Sequence, residues 1–216
     1  MNVQFILDNG ECYSSKLDFE LIRTSKKISA PIIKTNYISI PGRDGVLDFT
    51  EMFGEPRYEN RTVEIVFYSK KNIREFDDIY SNLQDAVHGK KAKIVFDEDA
   101  EWYYDGRVSV GTWEIDGILG KITVTADVFP YKMKCTNTIV TSEVSEETVV
   151  ICYNERKSVV PIITTDADFV LKFNDISIAV PAGETIVPDI KFVQGENIVT
   201  CIGTGNITFT YREGSL

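Results

Sequence analysis

The densest group of ionisable side chains in the chain is Asp97-Glu98-Asp99-Ala100-Glu101. Carboxylates this close could hold calcium through oxygen ligands, or share the acid and nucleophile duties of glycoside hydrolysis. The run lacks the glycine and the distal glutamate of an EF-hand loop and falls at a strand-to-strand connection. A solvated loop is therefore the expectation. Trp102-Tyr103-Tyr104 follows at once. Aromatic rings on a β scaffold can stack on sugars, which makes Trp102 and Tyr104 the candidate stacking residues of an alternative reading, a carbohydrate-binding β-sandwich module for cell-wall polysaccharide. The plainer reading is an alternating strand with Tyr103 facing away from its neighbours, part core and part interface.

Other catalytic constellations are missing from the sequence. The lone histidine, His88, rules out a multi-histidine zinc site and disfavours a histidine-based triad; at a helix end it is expected to meet the negative pole of the dipole or to face solvent. Neither a G-x-S-x-G elbow nor a G-x-x-x-x-G-K-[ST] phosphate loop occurs. Cys12, Cys135, Cys152 and Cys201 are widely spaced and include no C-x-x-C pair, so free thiols are expected and no metal or cofactor is. Nothing here makes an enzyme. With 23 basic against 33 acidic residues in 216, the net charge of −10 also argues against nucleic acid as a main ligand, since phosphate binding needs a basic surface. Met1–Gly10 does not read as a secretory signal, and no apolar run approaches the roughly 20 residues of a membrane helix. The expectation is a protein made in a reducing cytoplasm, with no membrane partner.

The elements that would position these residues are mostly strands. Ile32–Ile40, Thr62–Tyr68 and Ala92–Phe96 are rich in β-branched and aromatic residues, and Arg107–Ile115 and Lys121–Val128 alternate polar with apolar. Asp116-Gly117 between the last two is a hairpin signal, because both residues tolerate positive φ. One segment departs from this texture. From Asn72 to His88 the apolar residues recur every three or four positions, with Asn72 and Glu75 spaced as a capping box and Gly89 as the stop. The spacing predicts a helix over about 72–88, with Ile73, Phe76, Leu83 and Val87 in the core.

A seam falls at Phe129-Pro130-Tyr131-Lys132-Met133-Lys134, followed by a polar stretch from Thr136 to Thr148. Beyond it the reading is of short strands only: 149–152, 159–165, 169–173, 176–180, 185–187, 197–202 and 206–211. Turns are expected at Asn174-Asp175, Pro181-Ala182-Gly183, Gly195-Glu196-Asn197 and Gly203-Thr204-Gly205. The fold class is thus mainly β in two domains: residues 1–133 with one helix, and a small β-sandwich over 134–216.

Residues 28–133 taken as a unit point further. Pro41-Gly42-Arg43-Asp44-Gly45-Val46-Leu47-Asp48-Phe49-Thr50 comes first, then Tyr58-Glu59-Asn60-Arg61 opening a strand, and then the single helix. Phe96-Asp97, Tyr103-Tyr104-Asp105-Gly106-Arg107-Val108 and a hairpin ending in Phe129-Pro130-Tyr131-Lys132 complete the order. Together with Gly195-Glu196-Asn197, Gly205–Phe209 and Tyr211–Gly214 at the other end, this resembles the distal tail proteins of long-tailed phages and prophages of Gram-positive bacteria. The resemblance implies a virion protein of the tail tip or baseplate that forms a homo-hexameric ring. In that family the amino-terminal domain closes the ring and a galectin-like carboxyl-terminal β-sandwich faces outward. It implies as partners the tail tube protein, the tail-associated lysin or fibre hub, and receptor-binding or baseplate proteins. DNA would cross the lumen without specific binding, which an acidic lining favours. The ring contacts are expected at Arg43, Asp44, Asp48 and Phe49 in the connection 41–53, and at the hairpin Asp116-Gly117.

Overall fold

Alternation of apolar and polar residues makes most of this chain pleated sheet, because each apolar set then lands on one face. The computed structural model describes residues 1–52, 54–69, 71, 73–116 and 119–216, and the side chains of these except Ile73, Arg74 and Asp116. The cap expected at Asn72, the turn glycine Gly117 and the end of the first connection at Phe53 lie outside the described residues, as does the core assignment of the Ile73 side chain. The chain divides into two compact units, Met1–Pro130 and Tyr131–Leu216.

The first unit contains β1 (Val3–Leu7), β2 (Cys12–Ser14), β3 (Ile22–Ile28), β4 (Tyr37–Ile38), β5 (Leu47–Asp48) and β6 (Arg61–Ser69). After these come α1 (Ile73–Val87), β7 (Lys91–Phe96), β8 (Trp102–Asp116) and β9 (Leu119–Val128). All the strands but β4 and β5 join one antiparallel sheet in the order β2-β1-β7-β8-β9-β6-β3. The sheet rolls over on itself. Phe5 on β1 and Phe67 on β6 have three strands between them in that order, yet their rings lie 6.5 Å from each other. At the same closure the Arg23 N–H of β3 reaches the Met1 carbonyl at 3.2 Å. Phe5, Ile65, Phe67, Ile94, Ile122 and Val124 fill the interior.

The expected helix is present as α1, with Phe76, Leu83 and Val87 buried. Phe76 stands edge-on to Trp113, centroids 5.3 Å apart, over Gly120, where a Cβ would stand 2.5 Å from the ring. The Tyr80 hydroxyl donates to the Gly111 carbonyl at 3.0 Å, beside the register shift between Val110 and Trp113. Gly89 ends the helix at φ +72°, and its N–H donates to the Val108 carbonyl at 2.7 Å. His88 is exposed, but its role is specific: Nδ1 accepts the Val110 N–H at 3.0 Å.

Two expectations change in this unit. The sequence reading has no strand before Ile32, yet β1 to β3 precede it, and β1 alternates strictly between buried and less buried positions. The strand expected over Ile32–Ile40 shrinks to β4 and a single bridge from Ile33 to Tyr58. Its apolar residues are mostly exposed.

The second unit contains β10 (Lys132–Lys134), β11 (Thr138–Asn154), β12 (Ile162–Thr165), β13 (Phe169–Phe173), β14 (Ile176–Val180), β15 (Gly183–Ile186), β16 (Gly195–Tyr211) and β17 (Gly214–Ser215). From Thr138 the polar stretch to Thr148 is the first half of β11. Gly195-Glu196-Asn197 and Gly203-Thr204-Gly205 are no turns but lie inside β16. These two strands of 17 residues each pair from Thr138↔Tyr211 to Asn154↔Gly195. On its other side β16 pairs with β13 through 199–202 and with β12 through 207–210.

Between those two stretches the ribbon creases. Glu146 has φ +65° and stands opposite Gly203 at φ +153°. The bend turns the order β14-β13-β16-β12-β15 around one core, two sheet halves sharing their long strands. Glycine is needed at 203 because a Cβ there would stand 2.7 Å from the Phe169 ring. Val144, Val150 and Cys152 of β11 and Val199, Cys201, Ile207 and Phe209 of β16 all face inward. Phe192 is the centre, with the rings of Phe173, Phe209 and Tyr211 at 6.0, 5.9 and 5.2 Å. Burial pushes the free thiols of Cys152 and Cys201 up to about 12 and about 11.

Asn197 locks the approach to β16. It is 3% exposed; its amide donates to the carbonyls of Val193 (2.9 Å) and Cys152 (3.3 Å), and its oxygen accepts the Val193 N–H at 2.8 Å. A buried amide so fully bonded fixes the preceding loop.

Candidate interaction surface

A ribbon of the first unit carries most of the ring residues expected from sequence. Lys34 donates its N–H to the Arg57 carbonyl and Glu59 to Ile32, each at 2.8 Å, which zips the base of the ribbon. Further out, Phe49 donates to the Asn36 carbonyl at 2.8 Å, and Tyr37 and Ile38 of β4 pair with Asp48 and Leu47 of β5. Gly42 (φ +82°) and Gly45 (φ +76°) shape the tip. The side chain of Asp48 accepts the Thr50 N–H at 2.9 Å, and Thr50 holds that carboxyl below its ordinary value.

Among the described residues β4 and β5 pair only with each other. A two-stranded ribbon is marginal in water by itself. This one also exposes Ile32, Tyr37, Ile38, Val46 and Met52, the first at 66% and the last at 65%. An open cleft of about 350 Å³ lies along it, lined by Ile33, Thr35, Tyr37, Asp48, Thr50, Glu51 and Pro56. Large contiguous apolar patches commonly mark interaction sites. Arg43, Asp44 and Asp48 are exposed there and Phe49 is half-buried. The other expected contact, Asp116-Gly117, is approached by the hairpin β8–β9, in which Asp116 pairs with Leu119; Gly117 itself is not described. Sequence reasoning placed Ile32 and Ile38 in a strand and did not single out Val46 within the connection 41–53, so the exposure of all three was not foreseen. A β-branched run reads as buried strand whether the core or a partner will cover it.

The acidic cluster is tied into the fold by ion pairs and a backbone hydrogen bond. Glu98 takes both prongs of Arg23 and the ammonium of Lys26 at 2.6 Å, while Asp97 accepts the Asn2 N–H at 2.9 Å. Among the described residues no group of three or more His, Cys, Asp or Glu side chains is placed to hold a metal. Tyr104 presents no open face to a sugar: it is 7% exposed, with Phe96 5.8 Å from its ring and the Arg61 guanidinium 5.1 Å over it. Tyr103, on the opposite face, is equally covered, and Trp102 is half-buried. No helix among the described residues is long and apolar enough to cross a membrane.

No family model matches the chain, and no curated protein sequence does. A solved structure does match in fold, and along the whole chain. That structure is the crystal structure of the SPP1 Dit protein, described as a paradigm of the hub adsorption apparatus in phages that infect Gram-positive bacteria. The likeness covers 98% of each chain at a TM-score of 0.67 and 16% identity, so the two proteins share their fold. The resemblance to distal tail proteins read from residues 28–133 together with the carboxyl-terminal segments is matched, as architecture, from end to end.

Proposed function

We propose that this chain is a structural component of a phage tail tip, a ring of six copies joining the tail tube to the lysin or fibre hub. The observation that carries this reading is the end-to-end fold likeness to the SPP1 hub protein. The projecting ribbon supports it independently. Copies related by rotation would cover Ile32, Tyr37, Ile38 and Val46, and ring closure leaves no contact surface unsatisfied. The first unit closes the ring and the second, galectin-like unit stands outside it. The ring sits in the virion, assembled from chains made in the bacterial cytoplasm, and supports receptor-binding or baseplate proteins. Excess carboxylate keeps DNA from adhering as it passes. The sugar-binding alternative gains no support, since Tyr104 is core.

Electron microscopy and light scattering of the purified chain, alone and with the tube and hub proteins of the same phage, test the proposal. Rings of six are expected. Single copies at high concentration that bind neither partner would overturn it.

A further inference from the structure

Arg61 opens β6 and belongs to the inward set of that strand, with Val63, Ile65 and Phe67. It is 7% exposed, yet Nε and Nη2 are enclosed without a hydrogen-bond partner. Its guanidinium lies 5.1 Å from the Tyr104 ring centroid. Burial pushes the group below its ordinary value, and what opposes the shift is Tyr104, not a carboxylate. Charges taken out of water are ordinarily paired, because desolvation is otherwise not offset.

Arg23 shows the usual solution in the same sheet. At 4% exposure it binds Glu98 through both terminal nitrogens, at 2.7 and 2.6 Å. Lys26 holds the same carboxylate at 2.6 Å, and Asp97 lies 3.5 Å from Arg23. The other acids of the neighbourhood are turned elsewhere. Asp105 and Asp127 occupy outward-facing positions of β8 and β9, where Lys91 and the Asn60 amide hold them, each at 3.1 Å. Glu59 is exposed ahead of β6. Phe96 and Tyr104, 5.8 Å apart, therefore carry three cations: Arg23 and Lys26 over the first ring, Arg61 over the second. The carboxylates that answer them, Asp97 and Glu98, both serve Arg23. The surplus positive charge is Arg61.

We propose that Arg61 is a binding site for an oxyanion, a carboxylate or a phosphate, taken by its terminal nitrogens while Tyr104 supports the guanidinium. Nη1 is the nitrogen that is not enclosed, so the ligand meets it first. A planar guanidinium matches two-oxygen acceptors through parallel hydrogen bonds, as Arg23 and Glu98 already do. The oxyanion comes from solution or from an acidic side chain of a neighbouring copy. The second source rests on the ring reading. Arg61 follows closely on Glu59, whose N–H zips the base of the ribbon, so a copy covering the ribbon arrives beside it.

The test melts the full chain, native and Arg61→Met, in sodium phosphate, sodium acetate and sodium chloride of equal ionic strength, with light scattering in each. For an oxyanion from solution, phosphate or acetate should raise the native melting temperature by about 3 °C or more over chloride, and Arg61→Met should lose that rise. For a neighbour's carboxylate, the salts should act alike on both chains, while Arg61→Met needs roughly tenfold more protein to form rings. Arg61→Lys keeps the charge but not the fork; it should show part of the same loss and replaces the methionine variant if that one fails to fold. If Arg61→Met answers the salts as the native chain does and forms rings as readily, the proposal is overturned and the ring reading stands. If the salts act alike on both chains and the native chain forms no rings, both are overturned.

Discussion

Arg23 and Glu98, 75 residues apart in the chain, meet as a two-pronged ion pair: Nη1 lies 2.7 Å from Oε1 and Nη2 2.6 Å from Oε2. Arg23 comes from an edge strand, β3, and Glu98 from the turn after β7, so the pair clasps the rolled sheet where its far strands return to each other. The arginine is 4% exposed and its guanidinium also lies 5.1 Å from the Phe96 ring centroid.

That clasp should give an acid-sensitive fold. Burial would raise the Glu98 carboxyl, but hydrogen bonds from Arg23 and Lys26 outweigh it and hold the group well below the usual carboxylate range. A carboxylate held low adds stability above its unfolded value near ~4.3, and that stability is lost as pH falls toward the folded value. Urea titrations should show stability declining below about pH 4.5. Glu98→Gln should flatten this limb and cost about 2 kcal/mol at neutral pH, less than a fully buried pair because the Glu98 side chain is 43% exposed. An acid limb identical to that of the native chain would refute the assignment.

The ribbon should separate folding from assembly. Ile38 and Val46 are exposed, so Ile38→Asp or Val46→Asp should change unfolding free energy by no more than about 0.5 kcal/mol. The same variants should lose the ring in light scattering. Rings that persist in both would remove the ribbon from the interface.

Gly120 should tolerate no side chain. Alanine there would drive a Cβ to 2.5 Å from Phe76 and push the helix off β8 and β9, at a cost of about 1–3 kcal/mol. Chemical denaturation of Gly120→Ala measures it, and the near-ultraviolet signal of Trp113 should change with it.

Asn197→Ala should remove the partner of the Val193 N–H and carbonyl, costing about 1 kcal/mol. Hydrogen exchange at Val193 should rise far more than at Phe209. Unaltered exchange at Val193 would show that the loop is held by something else.

How much of this was legible depends on whether one residue type has one meaning. The helix was readable because a 3.6-residue period has few other causes, β6 and β7 because they are runs of β-branched and aromatic residues, and β8 and β9 because their apolar alternation meets a core on one face. Gly203 and Gly205 misled because glycine serves turns and close approaches alike. Here it lets β16 pass the Phe169 ring and the Asp166 carboxylate without leaving its strand. The ribbon misled in a related way, since Ile32–Ile40 has strand chemistry but its apolar side chains are left exposed. Arg23 and Glu98 left no trace, because nothing local marks a partner 75 residues distant.

The unbroken inward phase of β11 and β16 sets a rule for how their lengths can drift. Even-numbered residues of β11 and odd-numbered residues of β16 stay inside on both sides of the Glu146 crease. Deleting one residue from β11 would swap inside for outside from that point on, exposing Val150 and Cys152 while sending Glu147 toward Phe192. Homologous chains should therefore grow or shrink here by pairs of residues, and an odd change should be found only with a compensating bulge across the ribbon.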